Sequence, residues 1–186
     1  MGWGIAIASY RVTSLFSRLD EIELSLCLFF NRACQRRKIE RCFAVISRLG
    51  DGLFWYGLML LFATLDYPDG IDAALHMGAV GLFGLLIYKL MKGGLERQRP
   101  SITWAQIHRG TAPLDLYSFP SGHTLHAVAF TIVALAYYPA LWWLLIPFTL
   151  LVALSRLILG LHYPSDVLAG AAIGAGLASL SCNFLT

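Results

Sequence analysis

Long apolar stretches separated by short polar connections dominate this chain. Five of them, 53–65, 73–90, 123–138, 141–159 and 167–184, have the length and apolar character of membrane-crossing helices or come close to it. A helix needs about 20 mostly apolar residues to cross the hydrocarbon. Backbone groups in lipid have no water to bond, so all five are predicted to be helical. The first is short alone, and Phe43, Val45 and Ile46 extend it backwards as an amphipathic lead-in. Tyr137, Tyr138, Trp142 and Trp143 bracket a short turn at Pro139, as an aromatic belt at the interface would. The stretch 22–30 is apolar but short, with Arg18, Glu21, Glu23 and Arg32 around it. It reads as a sixth, short crossing or as a helix lying in the interface, the second being preferred.

Composition points the same way. Of the 186 residues, 58% are hydrophobic and 13% charged, whereas a soluble domain carries about 25% charged residues. The expected fold class is therefore all-α: a polytopic transmembrane helix bundle of five or six membrane helices with an N-terminal interfacial segment. At this length one domain is expected, residues 1–186, with an N-terminal interfacial or short-helix region at 1–50 and a catalytic helix bundle at 51–186. The net charge of +3 is too small and too scattered to suit nucleic acid. Cys27, Cys34, Cys42 and Cys182 form no CxxC pair and lack histidines at zinc spacing, so they are expected to pack as ordinary apolar residues. No basic segment, apolar core and small-residue cleavage site opens the chain, and no removable signal peptide is expected.

Tracing the helices alternately through a membrane has a chemical consequence. The second ends at Lys92, the third begins at Pro120, the fourth ends near Arg156 and the fifth begins at Pro164. All four ends fall on one face, which collects Lys92, Arg99, Ser121, His123, Arg156, His162 and Asp166. Ionisable groups at membrane depth are costly and default to functional readings.

These residues sit in three clusters: KGGLERQRP, PSGH and SRLILGLHYPSD. Phosphoryl transfer spreads negative charge over three equatorial oxygens, and catalysis there is largely positioning plus electrostatic stabilisation. Lys92, Arg99 and Arg156 offer three cations, arginine suiting bidentate contact and lysine acting as a point charge. Ser121 adds a hydroxyl at a helix N-terminus, where free backbone N–H groups receive anions, and Gly122 permits close backbone approach. Together these parts make a phosphate cradle. A nucleophilic histidine needs one ring nitrogen free and the other held by an acceptor. Asp166 follows His162 by four residues across a Tyr-Pro turn, a spacing that lets the carboxylate reach Nδ1 while Nε2 faces phosphorus. His123 is then placed to protonate the leaving alkoxide and later to activate water.

The combination Lys-x6-Arg-Pro, Pro-Ser-Gly-His and Ser-Arg-x5-His-x3-Asp resembles the signature of the type 2 phosphatidic acid phosphatase superfamily, complete and in order from Lys92 to Asp166. That resemblance implies His162 as nucleophile, Asp166 as its orienting partner and His123 as general acid. It implies Lys92, Arg99, Ser121, Gly122 and Arg156 as ligands of the phosphoryl oxygens. It also implies catalysis without a metal or other cofactor. The membrane helices point to the lipid phosphatases of that superfamily, and the short chain to its small bacterial members. The expected reaction is hydrolysis of a lipid phosphate monoester or diphosphate through a phosphohistidine. Phosphatidic acid, phosphatidylglycerophosphate, undecaprenyl diphosphate and lipid A phosphates are the candidate substrates, and the lipid partner would reach the site from the bilayer. A phosphotransferase using the same phosphohistidine and a non-catalytic lipid-phosphate binding or transport protein are the alternatives.

Simpler readings compete at several positions. Lys92, Arg97 and Arg99 also fit residues snorkelling at a helix end. His123 and His126, three apart, lack the carboxylates of a metal motif, so no metal site is expected and His126 is expected to bond within the bundle. His76 and His108 have no motif around them. Gly170 and Gly174, with Ala171, Ala172 and Ala175, form a small-residue face that suits packing inside the bundle, or alternatively a homodimer seam. The resemblance places the active site on the periplasmic, extracytoplasmic side of a bacterial inner membrane. Arg36, Arg37 and Lys38 share that face, and the positive-inside rule would make it cytoplasmic.

Overall fold

The computed structural model describes the backbone of residues 2–113 and 115–185, and the side chains of 16–113 and 115–184. Helices α1 (Gly2–Asn31), α2 (Arg37–Arg48), α3 (Phe54–Leu65), α4 (Asp69–Gly94), α5 (Pro100–Thr103), α6 (Gly122–Tyr137), α7 (Trp142–Ile158) and α8 (Pro164–Leu185) follow one another, with no strand among the described residues. Among the described residues, four helical segments are long and apolar enough to cross a membrane: Arg37–Leu65, Asp69–Gly94, Pro139–Ile158 and Pro164–Phe184. Gly122–Tyr137 is a shorter apolar helix between them. The chain is an integral membrane protein. The expected lead-in to the first crossing is present, because α2 and α3 join into one segment through a π-turn at Leu49–Leu53.

That turn has a local cause. Gly52 adopts φ +126°, a region closed to side chains with a Cβ, and Gly50 lies where a Cβ would press on Val152 of α7. The glycines thus bend the backbone and bring it close to α7, with Asp51 between them.

The core centres on α6, which the other long helices surround. Trp55, Leu58 and Phe62 of α3, Met77 and Val80 of α4, Phe130 and Val133 of α6, Leu145 and Val152 of α7 and Ala178 of α8 are buried together. Gly170 and Gly174 let α8 lie against α6, since a Cβ on either would come within 2.5 Å or less of a carbonyl oxygen, of Ser121 or Leu125 respectively. These two positions serve packing inside the bundle, the first of the two uses expected for the small-residue face. At one end of the bundle His76 joins α4 to α6 and α8, its Nδ1 3.1 Å from the Tyr137 hydroxyl and its Nε2 3.0 Å from Ser181 Oγ.

The opposite end carries the two connections 95–121 and 159–163, as the alternating trace predicts. The second half of α1 runs across this end. Asp20 and Glu23 reach Arg97, and Asn31 bonds His108 and Ile158. Twelve helical residues span about 18 Å, so 20–31 stretches over the mouth of the bundle.

Candidate active site

Lys92 lies in the last turn of α4 and Tyr88 one turn earlier. Pro100 opens α5 and holds the preceding Arg99 extended, at φ −80° and ψ 149°. Arg99 is 1% exposed. Its Nη1 donates to the Leu161 carbonyl at 2.7 Å, and its Nη2 lies 2.6 Å from Asp115 Oδ1. Asp115 also accepts hydrogen bonds from Lys92 Nζ and the Tyr88 hydroxyl. Burial would raise the Asp115 carboxyl, but the bonds from Lys92 and Tyr88 and the nearby Arg99 charge hold it below the usual carboxylate range. An anionic carboxylate thus bridges Lys92 and Arg99, two of the cations expected to receive phosphate.

Arg156, in the last turn of α7, is 3% exposed. Its Nη1 donates to Ser47 Oγ, and its Nε is buried without a partner among the described residues. No carboxylate lies within ion-pair distance of it among the described residues. A buried guanidinium with a spare donor is suited to an anionic ligand.

After α7 the chain turns at Gly160 (φ +68°), and the Leu161 and His162 amides both reach back to the Arg156 carbonyl. This glycine closure carries His162 over to Arg99. His162 is 3% exposed, with Nε2 3.2 Å from Arg99 Nη1 and Nδ1 3.5 Å from Asp166 Oδ2. The Nδ1 contact is longer than a formed hydrogen bond, and the atom has no other partner among the described residues. Such contacts tighten when a substrate is bound. Burial, then the charges of Arg99, Arg156 and Lys92, push the His162 imidazole well below its ordinary value of 6.5. It is therefore neutral at physiological pH, with a lone pair available.

Asp166 is fixed from two sides. Its Oδ2 accepts the Tyr163 amide at 2.8 Å, the reach-back contact of a carboxylate in the first turn of α8. Its Oδ1 accepts from Arg97 Nη1 at 2.6 Å. Arg97, expected to snorkel if it had no role at the site, is instead 2% exposed. Its Nη2 meets Asp20 and Glu23, each at 2.7 Å, and its guanidinium lies 4.0 Å from the Tyr163 ring centre. Although burial opposes its charge, Asp166, Glu23 and Asp20 hold the guanidinium pKa above its ordinary value.

Ser121 is fully buried at the start of α6, its Oγ 2.9 Å from Thr124 Oγ1 and its amide bonded to the Asp166 carbonyl. This bond ties the PSGH turn to α8. Gly122 lies against Tyr88, whose ring a Cβ would meet at 2.6 Å. His123 Nε2 stands 3.4 Å from Asp51 Oδ1. His126 bridges the carbonyls of Gly122 and Gly81, as expected of a residue bonded within the bundle. Below His123, a cavity of about 350 Å³ lies between α3, α4 and α6, walled by Trp55, Leu82, Leu85 and Phe130.

The structure therefore gathers His162, Asp166, Lys92, Arg99 and Arg156 at one end, with Ser121, Gly122 and His123 bonded or packed beside them. The sequence reading gave no role to Asp51, Tyr88, Asp115, Ser47, Asp20 or Glu23. The one signal available for Arg97 was its position between Lys92 and Arg99.

The family model of the PAP2 superfamily matches residues 73–186. Decaprenylphosphoryl-5-phosphoribose phosphatase of Mycobacterium tuberculosis is 34% identical over 137 residues, 73% of this chain and 74% of the relative. Undecaprenyl-diphosphatase BcrC of Bacillus subtilis is 34% identical over 114 residues, 61% of this chain and 58% of the relative. The crystal structure of Aquifex aeolicus LpxE superposes with a TM-score of 0.73 at 22% identity, covering 87% of this chain and 95% of that one.

Proposed function

Because the chain belongs to the PAP2 superfamily and is a membrane phosphatase, we propose that it hydrolyses a lipid phosphate monoester or diphosphate through a phosphohistidine on His162. The observation that carries this reading is the setting of one buried, neutral imidazole: Nε2 faces Arg99 at 3.2 Å and Nδ1 faces Asp166 at 3.5 Å. Relatives are named for a polyprenyl-linked sugar phosphate and for a polyprenyl diphosphate, and the substrate here is taken to be a membrane lipid of the same kind.

In the first step the His162 Nε2 lone pair forms a bond to phosphorus as the bond from phosphorus to the leaving oxygen breaks. His123 gives that oxygen a proton. In the second, His123 takes a proton from water, the water oxygen attacks phosphorus, and the N–P bond breaks to release phosphate and neutral His162. Lys92, Arg99 and Arg156 balance the charge on the equatorial oxygens. The first amides of α6, with Ser121 and Gly122 at its start, complete the cradle. The substrate phosphate takes over the Asp115 contacts to Lys92 and Arg99. The apolar cavity under His123 receives the part of the lipid next to the leaving oxygen.

The test is His162→Ala in purified protein, assayed for phosphate release from phosphatidic acid without an added acceptor. Activity should fall at least about 10⁴-fold, in the range for removal of a covalent nucleophile. Wild-type activity retained by this variant would overturn the mechanism, and wild-type protein releasing phosphate only when an acceptor is present would favour the phosphotransferase.

We also propose that the protein resides in a bacterial inner membrane with this end of the bundle on the periplasmic side. The support is the family resemblance. The charge of Arg36, Arg37 and Lys38 at the same end favours the reverse orientation.

A further inference from the structure

Asp51 belongs to none of the three motifs, and its placement is built rather than incidental. It sits in the π-turn between α2 and α3, flanked by Gly50 against Val152 and by Gly52 at φ +126°. Its carboxylate takes no hydrogen bond from the first turn of α3 and has no lysine or arginine within ion-pair distance among the described residues. The basic group it does meet is His123, with Oδ1 3.4 Å from Nε2. Both residues line the apolar cavity together with Trp55, Leu85 and Phe130, His123 with its side chain 11% exposed and Asp51 at 39%.

The other groups acting on His123 are cationic or neutral. Arg156 faces it from α7, His162 and Arg99 from the loops, and His126 lies one turn along α6. Arg156, Arg48 and His126 in turn act on Asp51. A general acid must carry a proton, and an imidazolium beside two guanidiniums needs a counter-charge. Asp51 is the carboxylate within reach, and no hydrogen bond holds His123 Nδ1 among the described residues.

We propose that Asp51 is the positioning residue of the general acid, keeping one proton on His123 Nε2 so that Nδ1–H serves the leaving oxygen, and that it thereby suits the site to monoesters more than diphosphates. The inference rests on the phosphohistidine reading above. In the first step the P–O electron pair goes to the leaving oxygen, which takes the Nδ1 proton. His123 is left neutral, with its remaining proton still facing Asp51. An alkoxide departs only as it gains that proton, so a monoester depends on the pair fully. The leaving group of a diphosphate is a lipid phosphate, already a weak base, which depends on the proton far less. That group is also anionic and meets the Asp51 charge unfavourably.

The experiment compares wild type, Asp51→Asn and Asp51→Glu, each full-length in detergent, on phosphatidic acid and on diacylglycerol diphosphate with the same tails. For Asp51→Asn, the single-turnover rate of lipid alcohol release from the monoester should fall about 10²-fold, the scale of general-acid loss, with a loss of under about 5-fold in lipid phosphate release from the diphosphate, since neither rate includes the shared attack of water on the phosphohistidine. The alkaline limb of the monoester kcat profile should move to lower pH by about one unit or more, since an imidazolium without its counter-ion loses its proton sooner. Asp51→Glu should recover part of the monoester rate. Adding Asp51→Asn to His123→Ala should cost nothing further, as expected of residues acting as one unit. Equal losses on both substrates, an unmoved alkaline limb or an additive double variant would each overturn the proposal. Single-turnover lipid phosphate release from the diphosphate by Asp51→Asn serves as the internal check on folding. An active His162→Ala would bring down the underlying reading, whereas an inactive His162→Ala beside an unselective Asp51→Asn brings down the Asp51 role alone.

Discussion

Arg97 carries its charge inside the protein, between Asp166 on one side and Asp20 and Glu23 on the other. A single side chain thus ties α1 to the carboxylate that orients His162. Removing one partner of a buried ion pair leaves an uncompensated charge and costs about 3–5 kcal/mol, so Arg97→Ala is a poor probe of chemistry. Arg97→Lys keeps the charge but loses the planar fork that serves Asp166 and Ser165 through Nη1 and the acids of α1 through Nη2. The expected result is a melting temperature within a few degrees of wild type and a kcat about 10²-fold lower, the scale of a small misplacement of a reacting group. KM for phosphatidic acid should change little, because Arg97 lies behind His162 and touches Asp166 rather than the cradle. An unchanged kcat in a folded Arg97→Lys protein would show that Asp166 is held well enough by the Tyr163 amide alone.

Helix packing transmits these placements. Gly170 of α8 lies where a Cβ would come 2.5 Å from the Ser121 carbonyl oxygen, and the Ser121 amide bonds the Asp166 carbonyl. A side chain at 170 therefore wedges apart the two helix starts that carry His123 and Asp166. Gly170→Val should lower stability by about 1–3 kcal/mol as an over-packing change and should depress kcat more than KM. A thermal melt in detergent alongside steady-state kinetics checks both, and an unaffected kcat in a destabilised protein would separate packing from catalysis. The crossings and the three motifs were legible in the sequence for a simple reason. Apolar length and the spacing of Lys92, Arg99, Pro120, His123, Arg156, His162 and Asp166 are local properties, and alternation of helix direction brings them together. Other contacts were not legible because they join distant residues: Arg97 meets Glu23 across 74 positions, and Arg156 meets Ser47 across 109. The acids at 20 and 23 look, in sequence, like the charges that interrupt an apolar stretch. In the structure they are the counter-ions of Arg97. Asp51 was hidden differently, since two glycines around an aspartate read as an ordinary turn until the π-turn sets that carboxylate beside His123.

For the whole molecule, orientation in the membrane is the property on which charge and family resemblance disagree. The active-site end carries Arg36, Arg37 and Lys38 at the start of the first crossing, and the other end carries Asp66 in the connection and Asp69 at the start of α4, with no lysine or arginine between α3 and α4. Counted alone, those charges would place the active site in the cytoplasm. Lys92, Arg97, Arg99 and Arg156 are buried and belong to the site, so they carry no weight in that count. The periplasmic proposal therefore makes a firm demand of two exposed positions. In a functional protein with its four native cysteines replaced, Gln106→Cys reports on the active-site end and Asp69→Cys on the other. A membrane-impermeant maleimide applied to intact cells with a permeable outer layer should label Gln106→Cys at once and Asp69→Cys only after the inner membrane is opened. The opposite pattern would turn the protein over, place its phosphate release in the cytoplasm, and leave Arg36, Arg37 and Lys38 as ordinary cytoplasmic anchors.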